Sequence, residues 1–135
     1  MRCLVVSVGR LRAPYADDVA HYSKLLSRYT RLELLELRDA DRVAGRLPTD
    51  VFVSLLAADG RTYDSRGFAD FIEERRGSGR DLTFVIGGSH GIELAGAEHR
   101  LSLGPMTLPH QLARVVLLEQ LYRAHKIIAG EPYHH

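Results

Sequence analysis

The sequence predicts an α/β protein with a mostly parallel sheet and helices on both faces. Short apolar runs alternate along the chain with longer helical patterns, as they do where helices connect parallel strands. The runs at 2–8, 51–57 and 81–86 contain few polar residues, which is typical of strands buried on both faces. The length of 135 residues predicts a single domain, 1–135, and the 45% apolar and 26% charged composition is that of a globular protein.

The first half of the chain contains three predicted strands and two predicted helices. Gly9 ends the strand at 2–8, and a helix begins after Pro14, with two aspartates near its amino end. Strands follow at 32–37 and 51–57, separated by a charged turn or helix fragment at 38–50. The dipeptide Asp59-Gly60 is a turn signal that should end the third strand. Apolar residues at helical spacing form one face of each helix: Tyr15, Val19, Tyr22 and Leu26 in the first, and Phe68, Phe71 and Ile72 in the second.

Ser65 is the predicted N-cap of that second helix, and glycines at 77–79 end it. A strand at 81–86, a short helix at about 91–98 and a strand near 99–103 follow. The longest helix, about 109–128, is apolar around more than the ~100° that one buried face requires. The apolar surface that does not pack on the sheet is covered either by another subunit, which predicts a homodimer, or by other helices of the same chain.

Charge and cysteine content exclude several classes of protein. Lys and Arg total 18 against 17 Asp and Glu, so the net charge of +1 provides no general basic field for nucleic acid. The single cysteine rules out an intrachain disulfide and predicts a reducing, cytoplasmic location. No apolar run reaches the ~18 residues of a membrane span, so we expect no membrane association. The ligand patterns of common metal sites are missing, which predicts no metal.

Four motifs have both a structural and a functional interpretation. The run GGSHG at 87–91 follows a strand and is either a tight turn or a ligand loop, although it matches neither nucleotide-binding glycine pattern. The apolar loop at 103–110 either packs in the core or forms the wall of a pocket for a flat heterocycle. Glu119 and Arg123, at i,i+4 spacing, form a surface ion pair or belong to a site. The tail at 133–135 is frayed or functional.

Four segments resemble the RlmH family of SPOUT-class methyltransferases, which act on a pseudouridine of large-subunit ribosomal RNA. They are VSVG at 6–9, FVIGGSHG at 84–91, LSLGPMTLPHQLAR at 101–114, and EQLYRA at 119–124 followed by PYH at 132–134. Their order and spacing agree with the family over essentially the whole chain. The resemblance implies a C-terminal trefoil knot of the SPOUT type that binds S-adenosyl-L-methionine, with no metal.

The resemblance also assigns site residues by position. It places the cofactor against residues after the third and fourth strands and before the last helix, namely Leu56, Gly87, Gly88, Leu103, Gly104, Pro105, Met106, Thr107 and Leu108. It places the target nucleotide against Arg123, Tyr133 and His134, with His110 and Glu119 as neighbours. Arg123 would stabilise an oxyanion while pseudouridine N3 is methylated, Tyr133 would stack on or hydrogen-bond the base, and His134 would be a base or an orienting group.

The resemblance further implies a homodimer in which the tail of one subunit completes the site of the other, acting on 23S ribosomal RNA within the assembled ribosome. Two features depart from the family: the segment 38–50 is short, and the Ser89-His90 pair differs, so His90 receives no role. Two other functions stay open. One is a non-catalytic, flavodoxin-like module that binds a nucleotide or a partner, and the other is a SPOUT methyltransferase that acts on transfer RNA.

Overall fold

The computed structural model describes residues 1–133, which form a five-stranded parallel sheet flanked by helices. The strand order is β2-β1-β4-β3-β5, and every neighbouring pair is parallel. The predicted α/β class with a mostly parallel sheet is confirmed. The strands are β1 (Arg2–Val8), β2 (Arg31–Leu37), β3 (Phe52–Arg61), β4 (Leu82–Ile86) and β5 (His99–Leu101).

The two faces of the sheet are covered unequally. One face packs against the three long helices α1 (Tyr15–Leu26), α3 (Ser65–Gly77) and α4 (His110–Ile128). The other face packs against α2 (Val43–Arg46), the 3-10 turn before it, and the loop that follows β4. The segment 38–50 is therefore a turn with a helix fragment, as its charged, Gly- and Pro-containing sequence predicts.

The longest helix, α4, lies between α1 and α3 and packs against both. Its buried side chains, Leu117, Leu118 and Leu121, join Phe84 of β4 in the larger of two apolar clusters. No residue of α4 is classed as exposed. Other helices of the same chain therefore cover most of the apolar surface of α4.

The third strand does not end at Asp59-Gly60, so that prediction is wrong. β3 continues to Arg61, and both Leu56 and Arg61 pair with Leu101 of β5 across a register shift. A Cβ at Gly60 would lie 2.6 Å from the carbonyl carbon of Arg100, so the glycine permits two backbones to cross in contact. The signal that reads as a turn marks this crossing instead.

Three smaller predictions also fail. Residues 91–98 form turns rather than a helix, beginning with a hydrogen bond of 2.9 Å from the Gly91 amide to the Gly88 carbonyl. The N-cap of α3 is Asp64, not Ser65, because the Asp64 carboxylate accepts the Gly67 amide at 2.7 Å. The fifth strand ends at 101 rather than 103.

Within residues 1–133, no helix combines the length and hydropathy needed to cross a membrane.

Candidate functional site

A cavity of about 1130 Å³ lies beyond the carboxyl ends of the central strands. Its walls come from residues 56–59 of β3, from the segments that follow β4 and β5, from the turn at 40–41 and from the first turn of α4. Ligands of parallel α/β sheets bind at this edge, where the loops between strands and helices meet. The volume is slightly above the range of roughly 300–1,000 Å³ for small-molecule pockets, so a ligand of nucleotide size has room.

The cavity brings together most of the residues that the sequence assigned to a cofactor. Pro105 is the exception, because it does not line the cavity. His90, which received no role, and His110 also line it, as do residues that the sequence did not assign to any site, including Asp59 and Arg100. The assigned residues in the wall are Leu56, Gly87, Gly88, Leu103, Gly104, Met106, Thr107 and Leu108.

Gly87 is required by close packing of the loop after β4. A Cβ at this position would lie 2.9 Å from the carbonyl carbon of Gly91 and 3.0 Å from the Ile92 side chain. The loop therefore folds back on its own backbone where it borders the cavity. Only a residue without a side chain leaves this wall of the cavity in place.

The loop before α4 is fixed at its start by Ser102, which is 4% exposed. The Ser102 amide donates to the Arg61 carbonyl at 2.9 Å. Its hydroxyl lies 3.1 Å from the Ala58 carbonyl and accepts the Gly104 amide at 3.1 Å. Backbone from β3 and from the 103–108 loop is thus joined through one buried side chain.

Two buried polar side chains attach the start of α4 to the end of β1. Arg114 donates to the Val8 carbonyl at 3.0 Å, to the Gly9 carbonyl at 2.7 Å and to the Glu36 carboxylate at 2.9 Å. Burial lowers the pKa of Arg114, and the Glu36 carboxylate opposes that effect. One turn earlier, Gln111 accepts the amide of residue 12 and donates to the carbonyl of residue 10, at 2.9 and 2.8 Å.

His110 lies in the first turn of α4, where its surroundings favour the neutral imidazole. Burial lowers its pKa, and the positive charges of Arg114 and Arg12 lower it further. A Cβ built on Gly9 would lie 3.8 Å from Nε2 of His110, so the ring sits beside the loop after β1. The cavity wall at this point carries an uncharged group that can donate or accept a hydrogen bond.

Glu119, Arg123 and Tyr133 form a second polar group near the other end of α4. Glu119 accepts from Arg123 and from the Tyr133 hydroxyl, both at 2.8 Å. The Arg123 guanidinium lies 4.5 Å from the centre of the Tyr133 ring. Burial and, to a lesser extent, the hydrogen bond to Glu119 raise the pKa of Tyr133, so its hydroxyl stays protonated near neutral pH. His134 lies outside the described residues.

The cavity and the polar group of Glu119, Arg123 and Tyr133 are far apart within one chain. His110 lines the cavity, and Arg123 is thirteen residues further along the same helix. At a rise of ~1.5 Å per residue, their backbones are separated by about 20 Å. An arginine side chain is too short to bridge that distance. The cavity with the predicted cofactor residues therefore borders the amino end of α4, whereas Arg123, predicted to face the target nucleotide, lies towards its carboxyl end.

Within residues 1–133, no group of three or more His, Cys, Asp or Glu side chains is placed to hold a metal ion. The half-buried His99 binds Ser54 and Tyr63 instead, at 2.8 and 2.9 Å, and stacks on Phe71. This histidine joins β5 to β3 and α3.

Comparisons with known proteins cover the whole chain. The family model described as "Predicted SPOUT methyltransferase" matches residues 1–134. A protein of Gemmatimonas aurantiaca named "Ribosomal RNA large subunit methyltransferase H" is 42% identical over 153 aligned positions, with 99% of each chain covered. Proteins of the same name from Nitratidesulfovibrio vulgaris and Carboxydothermus hydrogenoformans are 43% and 39% identical over 156 and 158 positions. These alignments cover at least 99% of both chains and exceed 135 positions, so the relatives carry residues that this chain lacks.

Proposed function

The chain belongs to the SPOUT methyltransferase family, and from this premise we propose that it methylates N3 of a pseudouridine in large-subunit (23S) ribosomal RNA. Membership of the family implies its trefoil knot. The observation that carries the proposal is the cavity at the carboxyl edge of the sheet, bordered by the loops that the sequence assigned to a cofactor. The names of the relatives support the choice of RNA.

The proposed methyl donor is S-adenosyl-L-methionine, which supplies an electrophilic methyl group on a sulfonium. The cavity fits it in size, and its walls have the mixed character that a nucleoside requires. Leu56, Leu103 and Leu108 offer apolar contacts, and the Gly87–Gly88 backbone offers amide and carbonyl groups without obstructing side chains. Since methyl transfer needs alignment more than charge stabilisation, a rigid wall is the contribution expected of these residues.

We propose that the complete site forms between two copies of the chain. The separation of about 20 Å along α4 supports this, because Arg123 cannot reach the cavity of its own subunit. Leu112 and Val116 also support it, because they are half-buried apolar residues of α4 outside the packed clusters. Met106, beside the cavity, is 80% exposed and offers further apolar surface to a partner.

In this site Arg123 would donate to a ring carbonyl of the target base and stabilise the oxyanion that accompanies loss of the N3 proton. The ion pair with Glu119 and the contact with Tyr133 hold the guanidinium in position. Tyr133 would stack on or hydrogen-bond the base, and it would not remove the N3 proton because its raised pKa keeps the hydroxyl protonated. His134 is the proposed base or orienting group.

The assembled ribosome in the cytoplasm is the proposed setting. A chain with a net charge of +1 is unlike proteins that hold naked RNA through a general basic field. A ribosomal surface would provide affinity through shape as well.

The first test is transfer of a labelled methyl group from S-adenosyl-L-methionine to ribosomes of a strain that lacks the modification, with transfer RNA assayed in parallel. Label at N3 of a pseudouridine in 23S RNA is the expected result. Label in transfer RNA alone would identify the alternative substrate. Cofactor binding measured by calorimetry, with no methylation of either RNA, would favour the non-catalytic module.

The second test concerns the shared site and mixes two variants, Gly87→Ala and Arg123→Ala, at a cofactor concentration too low for the Gly87→Ala cavity to bind it, so that each variant is inactive alone. A mixed dimer combines one intact cavity with the intact Arg123 of the other subunit, so random mixing should restore about a quarter of the sites. A site built within one chain would stay inactive after mixing.

Deletion of residues 133–135 should abolish transfer and preserve cofactor binding, and loss of cofactor binding would instead place the tail in the cavity.

A further inference from the structure

The loops that follow β1 and β2 leave the sheet side by side. Val8 and Leu37 are register partners, and the Gly9 amide donates to the Leu37 carbonyl at 2.8 Å. Arg10 follows Gly9 after β1, and Arg38 follows Leu37 at the end of β2. Adjacent strands are ~4.8 Å apart, so these two arginines begin at neighbouring points of the same edge.

Arg10, Arg12 and Arg38 are exposed, and we call them the rim arginines. Their side chains make no hydrogen bond or ion pair with any of residues 1–133. The nearest carboxylate on β2, Glu36, already accepts from Arg114 and from the amide of residue 11. The positive charge at this edge is therefore not neutralised by Glu36.

The surrounding sequence concentrates that charge. Residues 9–16 and 38–46 contain five arginines and two aspartates, although the whole chain has a net charge of only +1. One of those aspartates, Asp39, lies 3.7 Å from Arg42. Asp17 and Asp18 follow in the first turn of α1, where the amino end of the helix dipole offsets part of their charge.

The rim arginines border the proposed cofactor cavity. Ala40 and Asp41, two and three residues after Arg38, line the cavity. Arg12 is close enough to His110, another wall residue, to lower its pKa. Both backbone bonds of Gln111 hold residues 10 and 12 in place, so the loop is ordered before any ligand binds.

We propose that Arg10, Arg12 and Arg38 bind phosphates of the RNA strand that carries the target nucleotide. This inference rests on the proposed function and adds the surface by which the substrate is held. Arginine suits the task because its planar guanidinium can donate two parallel hydrogen bonds to a phosphate. Three phosphate contacts beside the cavity would also fix the direction in which the strand enters.

The test is the salt dependence of binding to large ribosomal subunits that lack the modification, at constant magnesium. Each phosphate contact contributes about −0.7 to the slope of log affinity against log salt, so Arg10→Gln/Arg12→Gln/Arg38→Gln should make the slope about 2 less negative. Between about 50 and 200 mM salt, wild-type affinity should then fall about 20-fold more than that of the variant. The control Arg31→Gln/Arg66→Gln/Arg76→Gln, three exposed arginines elsewhere, should keep the wild-type slope.

Binding and methylation of the subunits by the wild type separate a failure of this inference from a failure of the proposed function. A wild-type protein that neither binds nor methylates the subunits would refute the proposed function itself. An active wild type whose slope is unchanged in the rim variant would refute only the phosphate surface, as would an equal loss of affinity at every salt concentration. If the triple variant is not stably folded, Arg10→Gln alone decides the question, and its slope is expected to be about 0.7 less negative than that of the wild type.

Discussion

The crossing at Gly60 makes a sharp prediction about the stability of the fold. In Gly60→Ala the new methyl group would lie 2.6 Å from the Arg100 carbonyl carbon, 2.7 Å from its oxygen and 2.9 Å from the Leu101 carbonyl carbon. Ordinary contact begins at 3.4 Å, so β5 would have to move by about 0.8 Å away from β3. All three atoms belong to backbone and cannot rotate aside. We therefore expect a cost near the upper end of the ~1–3 kcal/mol typical of overpacking.

For a chain of this length, that cost corresponds to a fall in Tm of about 10 °C, measured by circular dichroism and checked by urea unfolding. The matched control is Gly77→Ala, at the end of α3, where a methyl group would meet nothing within 4 Å. The control should melt at or slightly above the wild-type temperature, since alanine favours a helix by up to ~1 kcal/mol. A Gly60→Ala protein that melts with the wild type would contradict the close crossing of β3 and β5.

Three further predictions follow from single contacts. Gly87→Ala should weaken S-adenosyl-L-methionine binding at least about tenfold in calorimetry, since it costs at least ~1.4 kcal/mol to displace the loop, whereas Gly96→Ala, with nothing within 4 Å, should bind normally. Burial lowers the pKa of His125 to about 4, so stability present above pH 6.5 is lost as the pH falls. Between pH 7 and 5, wild type should lose about 2 kcal/mol of unfolding free energy more than His125→Phe, and equal losses would show that His125 is not held neutral. Arg114→Met leaves two carbonyls at the end of β1 without a donor and should cost about 2–4 kcal/mol in urea unfolding, part of which Arg114→Lys should restore.

The elements of the sheet were predictable because their signals are local. Apolar runs mark β1 and β4, and apolar spacing marks α1, α3 and α4. The resemblance to a known family identified eight residues of the cavity wall, which spacing alone could not, because the segments of the wall are distant along the chain. The role of Arg114 was not foreseen. Its sequence position in an amphipathic helix carries no sign that it would bind carbonyls at the end of β1, more than a hundred residues away.

The error at Asp59-Gly60 shows what a local signal leaves undetermined. A glycine after an aspartate favours a turn because it lacks a side chain, and the same property allows another backbone to pass at contact distance. Which of the two occurs depends on whether a distant segment, here Arg100 and Leu101, arrives at that point. Ser102 then ties the same segment to Ala58, so the crossing is held from both sides and forms one wall of the cavity. The binding site thus depends on a long-range packing event, which explains why Gly60, part of an ordinary turn signal in the sequence, has no room for an added methyl group.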